Sequence, residues 1–303
     1  MIHFLYSYFL KTKIDENKSK LYTWLQWQLY KFLKVGLISY YKNISLNSLG
    51  IDSTSNVVVS LTSFPARIGV IHLSIRSILN QTKRPKKVVL WLGEEQFPLR
   101  ETTLPQQLLE LKQLGLEIEF CEDLKAHKKY FFSFQKYPKN LLVTVDDDVI
   151  YPKDLLETLF MAHQKHPDCV VANRVRYMES INEDFIPYRQ WKINSSKYIM
   201  PSKRIFSTGV GGVLYEPGFF QKSFFDIDGI KKTDCRNDDI WLKAGQIANN
   251  VPVFFTNVYF RQFIEIPESQ KESLFSTNVF EADNDRQIKE IFDYFGINQK
   301  SFE

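Results

Sequence analysis

From Val57 onward, short apolar runs alternate with stretches in which apolar residues recur at helical spacing. Val57–Leu61, Lys87–Leu92, Leu116–Cys121, Leu141–Val145 and Cys169–Ala172 read as strands. The third of these alternates in polarity, which suits a less buried position. Ile71, Ile75, Ile78 and Leu79 mark a helix between the first two strands, closed by Gln81 to Pro85. Leu104–Leu114 reads as a helix with Gly115 as its stop. Asp154–His166 reads as another, with Asp154 placed to cap it. A last strand is expected at Val251–Thr256, before a polar tail from Glu265. This rhythm predicts an α/β fold, a mostly parallel central sheet flanked by helices on both faces.

The two ends have a different texture. Residues 1–50 read as helical and aromatic-rich, with Trp24, Leu25, Trp27, Leu29, Phe32 and Leu33 forming a broad apolar face beside Lys31 and Lys34. Such a helix suits either a membrane interface or packing on the main domain. Asn47–Asn56 is turn-rich and reads as a linker. The expected parts are therefore a basic helical extension over 1–52, an α/β domain over 53–265, and a tail or helix packed on it over 266–303. Residues 1–50 are expected to be removable without loss of the main domain. The irregular stretch Arg176–Arg204 carries Tyr177, Tyr188, Trp191 and Tyr198, and reads as binding loops.

Charge sharpens this division. The net charge of +4 is unevenly placed: residues 1–50 hold seven Lys against Asp15 and Glu16, a net of +5, which leaves the remainder at −1. A body without a basic stripe speaks against nucleic acid as a partner. At 44% hydrophobic residues the chain can bury a core. Cys121, Cys169 and Cys235 are far apart and odd in number, which argues against a disulfide framework or a zinc site and fits a reducing compartment. The apolar start Ile2–Leu10 lacks a basic segment before it, so no signal peptide is expected. Without eighteen consecutive apolar residues, neither is a membrane-spanning helix.

The candidate chemistry centres on Asp146-Asp147-Asp148, which directly follows the fourth strand. Ligands bind at the carboxyl ends of strands in open α/β sheets. Side chains alternate along an extended chain, so Asp146 and Asp148 share a side while Asp147 points elsewhere. Hard carboxylate oxygens select Mg²⁺ or Mn²⁺, and such a cation bridges to a diphosphate. A solvated acidic turn is the plain alternative. Asn237-Asp238-Asp239 opens a predicted helix; its carboxylates suit either a general base or a first-turn cap. Gly209, Gly211 and Gly212 permit close backbone approach or positive φ, or make a simple turn. His163 and His166 read as the polar face of a surface helix. Lys128 and Lys129 suit phosphate charge or plain solvation.

Taken in order, these motifs resemble a GT-A fold nucleotide-sugar glycosyltransferase, similar to bacterial family-2-like enzymes of surface-polysaccharide synthesis. The resemblance covers about residues 56 to 260. It implies a Rossmann-like domain and metal-dependent transfer of a sugar from a nucleotide diphosphate donor, by prior a UDP-sugar. The acceptor would be a glycan or a lipid-linked oligosaccharide, and the setting capsule, lipopolysaccharide or exopolysaccharide synthesis. By that resemblance Asp146 and Asp148 match a D-x-D motif, with Asp146 on ribose or metal and Asp148 on metal. Asp239 matches the base of inverting members, with Asp238 beside it. Thr62, Arg67, Asp123, Lys129, Asp146, Gly211 and Gly212 fall where the donor binds, and Mn²⁺ or Mg²⁺ is the implied cofactor. Tyr188 and Trp191 are candidate sugar-stacking platforms. Many members bring a C-terminal histidine to the metal, and no histidine follows His166 here. The implied location is cytoplasmic, peripheral on the inner face of the cell membrane through residues 1–50. Two rivals stand beside this reading: a sugar-phosphate or nucleotidyl transferase on a similar frame, and a non-catalytic nucleotide-sugar-binding membrane adaptor.

Overall fold

The structure is a computed structural model that describes residues 1–13, 19–181, 184–195, 199–267 and 279–302. In chain order its elements are α1 (Ile2–Lys11), α2 (Lys20–Asn43), β1 (Val57–Thr62), α3 (Ile71–Leu79), β2 (Lys87–Gly93), α4 (Gln106–Leu109) and β3 (Leu116–Cys121). Then follow α5 (Lys128–Lys136), β4 (Leu141–Thr144), β5 (Val149–Ile150), α6 (Leu155–Lys165), β6 (Val170–Ala172), β7 (Val175–Tyr177), β8 (Ser180–Ile181) and β9 (Asp184–Phe185). The last group is β10 (Ile205–Ser207), β11 (Val213–Tyr215), α7 (Ile227–Lys232), α8 (Asp238–Ala248), β12 (Val253–Phe255), β13 (Ile264–Glu265) and α9 (Val279–Phe295).

Seven strands form the central sheet in the order β12-β6-β11-β4-β1-β2-β3. Only β11 runs antiparallel to its neighbours, β4 and β6. The fold is α/β with a mixed, mostly parallel sheet, as the alternating rhythm predicts. Period-two alternation divides the apolar residues between two faces. Val57, Val59, Leu90 and Val143 pack in one cluster with α1, α2, α3 and α6. Val58, Val89 and Leu142 pack in the other with α5, α8 and α9. The irregular segments after the parallel strands gather at one edge of the sheet. The antiparallel β11 brings Gly209–Gly212, which precedes it, to that same edge.

Several local expectations change. The helix expected over Leu104–Leu114 is split, with α4 continuing as a 3₁₀ turn over Glu110–Leu114 before left-handed Gly115 (φ 107). The α5 helix has no counterpart in the sequence reading, because its first turn carries Lys128 and Lys129. Its buried Tyr130, Phe131 and Phe134 hold it on the sheet. Asp154 occupies the cap position of α6 without capping it. Its carboxylate instead accepts from Lys11 Nζ at 2.5 Å and from the Tyr259 hydroxyl at 2.9 Å. At the other end of the chain, α9 buries Ile288, Ile291 and Phe292, and Phe295 meets Trp241 edge-on at 4.9 Å.

The N-terminal helices are part of this core rather than a detachable extension. Tyr6 is fully buried; its hydroxyl donates to Ile150 O at 2.7 Å and accepts from the Ile264 N–H at 3.0 Å. It thereby joins both strands of the β5–β13 ladder just beyond Asp148. Leu33, Leu37, Ile38 and Tyr41 bury one face of α2. Buried Arg76 donates to Tyr41 O and Lys42 O at 2.9 and 3.1 Å, meeting carbonyls that the helix end leaves unpaired. Removing residues 1–50 would strip these side chains from the core, which overturns the expectation that they are dispensable. The opposite faces stay open: Met1 just before α1, Phe4 and Tyr8 on α1, and Leu21, Trp24, Leu25, Trp27, Phe32 and Val35 on α2, are exposed. Among the described residues no helix is long and apolar enough to cross a membrane. Asp15, Glu16 and Tyr198 lie outside the described residues.

Candidate active site

Buried β4 ends at Thr144 and delivers the three aspartates to the carboxyl edge of the sheet. The turn there is held from behind: the Asp146 N–H donates to the Tyr151 hydroxyl at 2.8 Å, and Ser74 Oγ donates to Asp146 O at 3.1 Å. Asp147 turns inward. It accepts from Ser63 Oγ at 2.5 Å and from Arg67 at 2.8 Å. Arg67 also lies 3.1 Å from Asp148 Oδ2, so its charge is spent on two carboxylates rather than open to a phosphate. Burial raises Asp147 despite these partners. Burial and then the Asp146 charge push Asp148 up to about 7.

The second acidic motif meets the first. Asn237 caps α8, its side chain accepting from the Asp239 N–H at 3.0 Å. Lys129, at the start of α5, reaches Asp146 Oδ1 at 2.8 Å and Asp238 Oδ2 at 3.1 Å. Burial alone would lower the Lys129 ammonium, but Asp146, Asp238 and Asp239 outweigh it and hold it well above the usual lysine value. Both oxygens of Asp239 accept from the Gly209 N–H, at 3.0 and 3.1 Å. Burial and then the adjacent Asp238 charge push Asp239 up to about 8. Burial likewise raises Asp238.

Gly209 is the node of this arrangement. A Cβ there would come within 3.1 Å of Lys129 Nζ and within 3.3 Å of both Asp146 Oδ1 and Asp239 Oδ1. Gly212 adopts φ 77, which only glycine takes without strain. Gly211 is pressed against Arg174, whose Cβ would be 2.4 Å from an added Cβ.

The other predicted residues are placed as follows. The Thr62 hydroxyl donates to Trp91 O at 2.8 Å. Asp123 pairs with Lys128 and accepts from Gln96 at 2.9 Å, beyond β3 and three strands away from β4. His163 faces Glu216 at 3.2 Å and His166 stacks on Phe254 at 3.9 Å, so neither approaches the aspartates. Trp191 is 2% exposed and its indole N–H donates to Ile186 O at 2.8 Å. Tyr188 is also buried, against Trp191 and Phe206. Both rings fill the core, so the sugar-stacking expectation for them is overturned. Ser63, Ser74, Tyr151 and Arg174 join the site without a sequence signal beyond adjacency to a motif, whereas Gly209 is one of the glycines the sequence singles out. Among the described residues, no three His, Cys, Asp or Glu side chains form a preformed metal cage.

Fold and site together define an α/β protein with a carboxylate-lined edge spanning two acidic motifs. No family model and no curated protein matches the chain. Solved structures with a similar fold include Staphylococcus aureus TarS 1–349 in complex with UDP-GlcNAc, at 13% identity over 80% of this chain and 74% of that one, TM-score 0.42. Another is the mannosyltransferase PcManGT from Pyrobaculum calidifontis in complex with GDP-Man and Mn²⁺, at 9% identity over 90% of this chain and 76% of that one, TM-score 0.48. The fold class of this chain stands on its own sheet order.

Proposed function

We propose that this chain is a glycosyltransferase that moves a sugar from a nucleotide diphosphate donor, by preference a UDP-sugar, to a hydroxyl of a glycan or lipid-linked acceptor. The observation that carries this reading is the convergence of Asp146 and Asp238, 92 residues apart, on one buried lysine, with Asp239 beside them. A strand-end carboxylate pair and a second carboxylate on a helix start supply the two halves of a displacement at an anomeric carbon. Surface-polysaccharide synthesis is the setting in which such an acceptor occurs.

Asp146 and Asp148 fit a divalent cation that completes its shell with water and substrate oxygens. Asp148 is crowded by the Asp146 charge and relieved in part by Arg67. When bound, Mn²⁺ or Mg²⁺ supplies charge neutralisation on the departing diphosphate. Asp239 accepts the proton of the attacking acceptor hydroxyl as the new glycosidic bond forms and the bond to the diphosphate breaks. Its raised pKa makes the ionised carboxylate a stronger base, while a larger share stays protonated below pH 8. Lys129 and Gly209 keep that carboxylate and Asp146 in one register, which contributes by orientation. Attack by the acceptor hydroxyl from the face opposite the departing diphosphate, with Asp239 taking its proton, gives inversion.

The open apolar faces of α1 and α2 support a reading in which this chemistry takes place at a lipid surface. Lys11, Lys13, Lys20, Lys31 and Lys34 accompany the exposed aromatics, a combination that suits an anionic bilayer on the cytoplasmic side.

The test is nucleoside-diphosphate release from a panel of nucleotide sugars with Mn²⁺, Mg²⁺ or EDTA, for the wild type and Asp148→Ala. Release from one donor, lost in the variant and in EDTA, is the expected result. A sugar-phosphate or nucleotidyl transferase would release a different product. An adaptor would bind donor, turn nothing over and be indifferent to loss of Asp239. Absence of any nucleotide binding would overturn the proposal.

A further inference from the structure

The cations around the cleft are nearly all spent. Arg67 is paired with Asp147 and Asp148, Lys129 with Asp146 and Asp238, and Lys128 with Asp123. Arg174 and Arg176 are the exceptions. Arg174 follows β6 by two residues and, among the described residues, makes one side-chain hydrogen bond from its guanidinium, to Thr208 Oγ1 at 2.8 Å. Arg176 donates to Tyr188 O at 3.2 Å and to Trp191 O at 3.4 Å, and lies 4.4 Å above the Tyr188 ring. Its Nε is buried with no hydrogen-bond partner among the described residues. Neither guanidinium has a carboxylate within ion-pair reach among the described residues. Carbonyls and a hydroxyl orient such groups but leave their charge in place.

The hydrogen bonds to Thr208, Tyr188 and Trp191 offset part of the cost of desolvating two guanidiniums two residues apart but bring no opposite charge. Burial, and then the Arg176 charge, act against the Arg174 charge, and the Tyr188, Asp239 and Asp146 side chains do not compensate. The surrounding loop nevertheless fixes Arg174. Gly211 leaves room for its Cβ, and the Thr208 N–H donates to Arg174 O at 3.0 Å. A fixed, unspent guanidinium fork matches the paired oxygens of a phosphate or carboxylate.

The position says which substrate carries the anion. Donor phosphates belong with the cation that Asp146 and Asp148 would hold, whereas Arg174 is bound to the Thr208 hydroxyl, directly beside the Gly209 N–H that both Asp239 oxygens accept from. An anion on Arg174 therefore sits on the Asp239 side of the cleft, where the attacking hydroxyl must be. We propose that Arg174, backed by Arg176, holds a phosphate or carboxylate carried by the acceptor, so that the acceptor is an anionic glycan, polyol phosphate or lipid phosphate. This rests on the transferase reading above.

The experiment is calorimetric titration of the full chain, saturated with UDP and Mn²⁺, with sn-glycerol 1-phosphate, glycerate and neutral glycerol. UDP binding is measured first on the same sample. At least one anion is expected to bind and glycerol not to, and the tighter of the two anions identifies phosphate or carboxylate as the acceptor group. Arg174→Gln should weaken the anion by about tenfold to a hundredfold, the range of charge-assisted hydrogen bonds. Arg174→Lys should fall between, and Arg176→Gln provides a second variant should the first not fold. Binding of UDP without either anion overturns the inference and leaves the transferase reading standing. So does binding of the anion only when UDP is left out, which assigns the arginines to the donor, or an unchanged affinity in both Gln variants. Failure to bind UDP removes the transferase reading and this inference with it.

Discussion

Lys129 Nζ lies 2.8 Å from Asp146 Oδ1, and the same ammonium lies 3.1 Å from Asp238 Oδ2. One buried cation therefore ties the end of β4 to the start of α8. Lys129→Met should destabilise the protein by about 3–5 kcal/mol, because it leaves carboxylates buried without their counter-charge. Adding Asp238→Asn should recover part of that loss. Urea denaturation of the two variants checks this; a Lys129→Met protein as stable as the wild type would show that the link does not hold the fold.

Gly209 and Gly212 should fail in different ways. An alanine at 209 meets Lys129, Asp146 and Asp239 at 3.1–3.3 Å, so those charged groups must shift by a few tenths of an ångström. Donor turnover is expected to fall on the order of tenfold or more with little change in melting temperature. Gly212→Ala forces a side chain into φ 77 and should cost about 1–2 kcal/mol of stability. Melting curves and turnover of both variants decide it, and equal loss of stability in the two would count against the distinction.

The raised carboxylates set a pH dependence with a definite sign. Asp148 and Asp239 bind protons in the folded state up to about 7 and about 8, where the unfolded chain has released them. Stability should therefore fall as pH rises from the ordinary carboxylate range of about 4 to about 8. Asp148→Asn should flatten part of the slope. UDP with Mn²⁺ should raise the melting temperature most above pH 7, where Asp148 is ionised. A melting profile identical in wild type and Asp148→Asn from pH 5 to 9 would remove the basis for this.

Lys243 gives the opposite sign. It is fully buried, donates to Ile205 O at 2.8 Å, and is lowered to about 7 by burial and then by Lys203. The unfolded chain holds that proton up to about 10.4, so the stability cost is full below pH 7 and fades as pH rises toward that value. Lys243→Met should raise the melting temperature most at pH 6 and least at pH 10. A gain independent of pH would mean that packing, not charge, is responsible.

The open faces of α1 and α2 can be altered without entering the core. Trp24, Trp27 and Phe32 are 56, 54 and 57% exposed. Replacing all three with serine should leave the melting temperature unchanged and lower affinity for anionic liposomes by about tenfold or more. Sedimentation with vesicles of graded anionic lipid content, at low and high salt, reads this directly. Unchanged sedimentation would assign the face to another partner.

Much of this molecule was legible along the chain, and the reason is local. Val57–Leu61, Lys87–Leu92 and Leu141–Val145 are apolar runs that must be buried on both faces, so their parallel pairing follows from composition and connection length. Asp146–Asp148 sits at a strand end because the run before it stops there. Asn237 caps α8 because it immediately precedes that helix. What the chain alone could not specify is which distant groups meet. Whether Lys129 faces a phosphate or a carboxylate depends on Asp238, 109 residues later, and on the helix that places it. Trp191 and Tyr188 read equally well as ring platforms and as core, because an aromatic has the same composition in either place; only packing against Phe206 decides. Tyr6 ties α1 to the strand after Asp148 and to β13 through one backbone group of each, and backbone partners leave no trace in side-chain pattern. Sequence determined the elements and the chemistry available at their ends; tertiary structure alone decided which charges are spent on one another and which, at Arg174 and Arg176, are left for a ligand.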